Sequence, residues 1–298
     1  MQAKRLPLDG TIGVFCPSHV AIPERYATQV AGIERMGFKV KLSENFYKDT
    51  WGYAACAQER ANDFNALIAD DSIDAILFNG GNGAAEILPF IDYDNIRRNP
   101  KRIGSYSDGT SILNAIQAQT GLIVYYGTAP GSFDDLRHYD YTQFCAHFVE
   151  GYGAKSFEHN SEWETLHGGQ CEGILIGGYT TLFALMIPNK YVRLKEQEYI
   201  LFLESHEKYG KIGMTAEELA FIEQTQFMGN VKGLVFGHYS VEKPQDLFHC
   251  LERFGKRHNI PVVYTDDYGH GTRHGILPIG TNAIFNADKQ SLIFLDCN

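Results

Sequence analysis

The stretch Ile103–Ile116, IGSYSDGTSILNAI, sets an apolar run directly against a helix start. Ile112, Leu113 and Ile116 recur at helical spacing, and Asp108 and Thr110 suit a first helical turn. Ser107 then falls at the top of a strand, on the turn into a helix. By itself a serine there is an ordinary helix cap. The window from Ser105 to Gly109 is G-x-S-x-G with its first glycine replaced by Ser105, a weak match to a nucleophile elbow.

Outward from this unit the pattern repeats. TIGVFCPS (11–18) reads as a strand ending in a Pro-Ser turn, residues 25–38 as a helix closing on Gly37, and KVKLSENF (39–46) as the next strand. Cys56 to Asp70 has helical periodicity, and IDAILFNGG (73–81) is a buried strand ending in glycines. Strands separated by helices of this length predict a parallel, doubly wound sheet, whose ligands sit at the carboxyl ends of its strands. Three such ends here are CPSH, NGGNG and SYSDG.

With 298 residues, two domains are the default. The alternation lapses across 153–172 in a polar stretch, taken as a link between an N-terminal domain, 1–152, and a C-terminal one, 173–298. The second half is strand-rich (CEGILIGG, YILFLES, VKGLVFGHY, IPVVYTDDYG, NAIFNADKQSLIFLD), with helices expected at TTLFALM and AEELAFIEQTQF.

Hydrophobic residues make up 44% and charged residues 21%, as in ordinary globular proteins. The formal net charge of −10 argues against nucleic acid or an anionic membrane as the main partner. The opening MQAKRLPLDG has no apolar leader core, and no later run is long enough to span a bilayer. The six cysteines are scattered, with no CxxC pair, and read as reduced thiols in a cytoplasmic protein.

Several residues could carry chemistry. The glycines of NGGNG let backbone N–H groups approach a ligand, although a tight turn needs the same residues. An oxyanion requires two donors, which the N–H groups of Asp108 and Gly81 could supply. A serine nucleophile also needs a base and a group to orient it. His270 lies on a glycine-flanked loop after the strand IPVVYT, and Glu204 ends YILFLE, with His206 and Glu207 as neighbouring rivals. His270 and His274 form an H-x3-H pair outside any helical HExxH context, so no metal and no cofactor is expected. Trp163, in the polar stretch, is a surface-packing residue or a platform for a base.

Taken together, the segments resemble the LD-carboxypeptidase family of serine peptidases, which includes the microcin C self-immunity peptidases. The resemblance begins at GTIGVFCPS (10–18) and continues through ERANDFNALIADDSIDAILFNGGNGAAEILPFIDYDNIRRNPKRIGSYSD (59–108). It extends to CEGILIGGYTTLFAL (171–185), ILFLES (200–205), and the Gly269-His270 pair ahead of LPIG. It implies a flavodoxin-like N-terminal domain bearing Ser107 as nucleophile. A smaller, strand-rich α/β C-terminal domain would bear Glu204 as acid and His270 as base, and a homodimer is expected.

Departures from the family pattern bear on substrate. Ser105 replaces the glycine of G-Y-S-D. Tyr179 stands where the immunity branch has a substrate-holding asparagine, which favours a muropeptide-like peptide losing a C-terminal D-residue. The loop NGGNG, with Asn82 where the cell-wall branch has tyrosine, and Lys208, four residues after Glu204, lean toward a peptidyl- or aminoacyl-nucleotide. Lys208 also suits a terminal carboxylate. A different class of function, non-catalytic capture of a small molecule, would suit the glycine-rich strand ends without needing a serine, an acid and a histidine together.

Overall fold

The computed structural model describes residues 1–135, 137–151, 155–192 and 196–295. The chain divides into two units, Met1–Gly151 and Tyr152–Asn298. The first runs β1 (Thr11–Val14), α1 (Pro23–Arg35), β2 (Lys39–Leu42), a hairpin of β3 (Asp49–Thr50) and β4 (Tyr53–Ala54), α2 (Ala57–Ala69) and β5 (Ala75–Leu77). It continues through α3 (Tyr93–Arg98), β6 (Arg102–Ser105), α4 (Gly109–Thr120), β7 (Val124–Tyr126) and α5 (His138–Phe144).

In this unit the strands lie in the order β7-β6-β5-β1-β2, and every neighbouring pair is parallel. Counted along the chain, this is the flavodoxin-like order, with its switch point between β1 and β5. The short runs of β5 and β7 are buried at every position, as strands covered on both faces must be. Helix α2 packs Phe64, Leu67 and Ile68 inward, and α4 is buried from Gly109 to Ile116. The turns carrying Ser18, Asn79–Gly83 and Ser107 follow the carboxyl ends of β1, β5 and β6.

The second unit runs β8 (Glu164–His167), β9 (Gln170–Tyr179), α6 (Thr180–Met186), β10 (Tyr199–Glu204), α7 (Ile212–Glu223) and β11 (Val231–His238). Then come α8 (Gln245–His258), β12 (Val262–Gly269), β13 (Leu277–Ile279), β14 (Asn282–Asn286) and β15 (Ser291–Phe294). Seven strands form one sheet in the order β15-β14-β9-β10-β11-β12-β8. The four central strands are parallel, and both margins are antiparallel. Its core sets Leu201, Leu203, Leu234 and Phe236 of the sheet against Leu219 and Ile222 of α7 and Leu251 and Phe254 of α8.

Two sequence expectations change. Part of the stretch taken as a link, Glu164–His167, is β8 itself, antiparallel to β12. It looks like loop in sequence because it is a sheet margin, where polar side chains face water. Helix α8 was not expected, yet it buries Leu247, Phe248, Leu251 and Phe254 at helical spacing and ends in Lys256, Arg257 and His258.

Candidate active site

The residues singled out in the sequence fall into two groups, each built by one unit. In the first, the chain leaves β6 and turns into α4 through Tyr106, Ser107 and Asp108. Ser107 has φ +56°, the left-handed region that a non-glycine residue occupies at a cost of about 1–2 kcal/mol. Three bonds hold it there. Its N–H donates to the Tyr126 hydroxyl (3.0 Å), and its carbonyl accepts from Thr110 N–H (2.9 Å) and the Thr110 hydroxyl (2.6 Å). A strained serine on a strand-to-helix turn is the geometry of a nucleophile elbow.

The altered motif position is accommodated. The Ser105 hydroxyl donates to the Phe78 carbonyl (2.7 Å), and a β-carbon on Gly109 would lie 2.2 Å from that hydroxyl. A small residue facing a glycine satisfies the turn, so Ser105 keeps the crossing that the usual glycine allows.

The glycine loop after β5 comes against the same turn. A β-carbon on Gly80 would lie 2.6 Å from Ser107 Cβ, and one on Gly81 only 2.1 Å from Ser18 Oγ. Backbone therefore reaches the serine where any side chain would collide. Among the described residues, the N–H groups of Gly81 and Asp108 have no acceptor. Asn82 is exposed on this loop.

Two further residues hold the arrangement. The Asp108 carboxylate accepts from Ala84 N–H (2.9 Å), tying the serine turn to the end of the glycine loop, and its burial raises its pKa. Arg60 of α2, almost wholly buried, donates to the Pro17 carbonyl and to the Gly83 carbonyl (3.3 Å), lacing the β1 and β5 loops together. The sequence showed Arg60 as part of a family block but gave it no task.

In the second unit, β10 ends at Glu204, which is 0% exposed. Its Oε2 lies 2.9 Å from His270 Nδ1. Burial disfavours a charged imidazole, but the Glu204 charge and hydrogen bond outweigh it, so the His270 pKa is raised. Gly269, with φ +107°, permits the turn into His270, and a β-carbon there would stand 3.1 Å from Glu204 Cβ. Of the rivals, Glu207 is exposed, and its N–H donates to the Tyr239 carbonyl (3.0 Å).

Around His270 stand the rings of Tyr179 (5.2 Å), Tyr209 (5.5 Å) and His206 (6.1 Å). Burial, then Glu204, raises the Tyr179 pKa, keeping its hydroxyl a donor. Lys208 is exposed on the same turn as His206 and Tyr209; its N–H donates to His206 Nδ1 (3.0 Å) and its ammonium lies over the Tyr209 ring (5.6 Å). Burial comes first, then the two neighbouring imidazoles His238 and His270, in lowering the His206 pKa. Among the described residues no group of three or more His, Cys, Asp or Glu could hold a metal ion.

Trp163 is not a free platform. It is 4% exposed, stacked on His159 (4.3 Å), and its indole N–H donates to Asp267 (2.9 Å). Sequence reading also passed over His238 and Asp266, 2.7 Å apart beside the His270 loop. Their signal was the one used for Glu204, a polar residue directly after an apolar run.

Comparison with known proteins gives the class first. The family model described as the LD-carboxypeptidase N-terminal domain matches residues 12–127, and that of the C-terminal domain matches 172–285. The chain belongs to the LD-carboxypeptidase family, a family of peptidases. Among its relatives, the Bacillus subtilis (strain 168) protein named "Probable murein peptide carboxypeptidase" is 28% identical over 311 residues, covering 98% of this chain and 94% of the relative. The Escherichia coli "Microcin C7 self-immunity protein MccF" is 38% identical over 133 residues, 43% of this chain and 39% of that protein. A solved structure of MccF with glutamyl sulfamoyl guanosine superposes with a TM-score of 0.87 at 24% identity, covering 99% of this chain and 98% of the other, and shows the shared fold.

Proposed function

We propose that this protein is a serine-type LD-carboxypeptidase that removes a C-terminal D-amino acid from a muropeptide-like peptide. The observation that carries the reading is the wholly buried Glu204 carboxylate 2.9 Å from His270 Nδ1. That contact fixes the proton on Nδ1 and leaves Nε2 as the basic atom. Ser107 Oγ attacks the amide carbonyl carbon while His270 Nε2 takes its proton. The N–H groups of Asp108 and Gly81 stabilise the oxyanion, each contributing about 3 kcal/mol to lowering the barrier. His270 then returns the proton to the departing amine, leaving an acyl-enzyme on Ser107. Water, deprotonated by His270, releases the acyl group and restores the serine.

Lys208 is the candidate for the substrate's terminal carboxylate, and Asn82 and Tyr179 are further candidates for binding substrate. The Tyr179 ring against His270 (5.2 Å) supports the peptide substrate, because it narrows the wall where the immunity branch offers an amide. A second reading, hydrolysis of a peptidyl- or aminoacyl-nucleotide, is supported by the 38% identity to the microcin relative, whose fold is also solved with a nucleotide analogue. The deciding experiment compares kcat/KM for a tetrapeptide ending in D-Ala with that for an aspartyl-adenylate analogue. Preference for the tetrapeptide by roughly tenfold or more fits the first reading, since about 1–3 kcal/mol separates such ligands. Efficient hydrolysis of the nucleotide alone replaces the first reading with the second; binding of both without turnover supports non-catalytic capture. A cytoplasmic homodimer belongs to the same proposal, and sedimentation near twice the 33.5 kDa chain mass is expected.

A further inference from the structure

β12 does not run straight into His270. Its register against β11 pairs Phe236 with Tyr264 and next His238 with Gly269, so Thr265–Tyr268 stand against Gly237 alone. Bulges bend a strand and re-aim its side chains. This one is anchored residue by residue. Asp267 accepts from the Trp163 indole (2.9 Å) and the Asn160 N–H (3.1 Å). The buried Tyr268 hydroxyl meets the Val235 carbonyl (2.7 Å).

Asp266 takes the other direction. It accepts from the Tyr264 hydroxyl (2.8 Å) and from His238 Nδ1 (2.7 Å). Burial would raise its pKa, but His238 and Tyr264 outweigh this and hold it low, so the carboxylate is ionised. The His238 ring is thereby fixed, and its flank meets the residue beside His270. A β-carbon on Gly271 would lie 2.7 Å from His238 Cγ and 3.1 Å from Nδ1.

We propose that His238, oriented by Asp266 and Tyr264, is a positioning residue that braces the Gly271 backbone and so holds His270 against Glu204. This rests on the reading of His270 as the base. The groups facing His270 include Glu204 from β10, Tyr179 from the end of β9, and His206 and Tyr209 from the turn after β10. His238 acts on it through Gly271, and Asp266 only through His238.

The test is a double-mutant cycle with Gly271→Ala and His238→Ala, read with the NMR titration of the His270 imidazole. Each single change is expected to lower kcat roughly tenfold or more with little change in KM. In the His238→Ala background the added methyl has room, so Gly271→Ala should cost no more than about threefold there. His238→Ala should also lower the His270 pKa toward its ordinary value, as contact with Glu204 loosens. Losses that simply multiply, or an unmoved His270 titration, overturn the proposal. If either variant fails to fold, Asp266→Asn, which keeps the shape, carries the same titration: a fall supports the brace and no change overturns it. Ser107→Ala and His270→Ala serve as controls. Full activity in Ser107→Ala removes the nucleophile assignment and full activity in His270→Ala the base assignment, while the His270 titration in the His238→Ala chain still judges the brace.

Discussion

At the scale of single residues, the two halves of the proposed chemistry are prepared differently. Ser107 is held by strain, its left-handed backbone fixed by Tyr126 and Thr110. His270 is held by charge. Because the proposed base must be neutral to act, activity should rise with pH through the His270 pKa, which Glu204 raises. The acid limb of kcat/KM is therefore expected above about pH 6.5, the ordinary histidine value. Glu204→Gln should move it to lower pH while reducing kcat; an unmoved limb would detach the pair from catalysis. The stability sign follows from the same shift. A raised folded-state pKa makes the pair's contribution complete below the unfolded pKa, and it is lost as pH rises through the folded value. Burial pushes the Cys16 and Cys171 thiols up to about 12, away from thiolate chemistry. Alkylating the exposed Cys56 is expected to leave kcat/KM within twofold, and a larger loss would count against dispensable cysteines.

At the scale of elements, the loops after β1, β5 and β6 owe their arrangement to neighbours distant in sequence. Arg60 fastens two of them through the Pro17 and Gly83 carbonyls, and Asp108 fastens the third through Ala84 N–H. Arg60→Met should leave those carbonyls unpaired and lower stability by about 1–3 kcal/mol, with a drop in kcat as the glycine loop loosens. Calorimetry on the full chain reads the first effect, and an unchanged melting temperature would show that the lacing is not needed. The strand-helix alternation of the first unit was legible because each element carries its own hydrophobic period, as 103–116 does. The serine was legible only as a turn residue, since Ser105 hid the motif and only contact with Gly109 explains the exchange. The His238–Asp266 pair was not found because its partners come from different strands and a bulge in β12 brings them together. β8 was hidden by its polar composition, whereas α8 was visible and passed over.

At the scale of the whole molecule, the candidate residues are divided between two units: Ser107, Gly81 and Asp108 on the first, Glu204 and His270 on the second. Neither unit alone carries the proposed nucleophile, base and acid. The central claim is that these residues serve one reaction, with Ser107 as its nucleophile. Its most direct test is covalent labelling by a fluorophosphonate, read by intact mass and peptide mapping. The account predicts a single adduct on Ser107 in the wild-type chain, none in Ser107→Ala, and labelling slowed about a hundredfold or more in His270→Ala. An adduct on another residue, or equal labelling rates with and without His270, would contradict it.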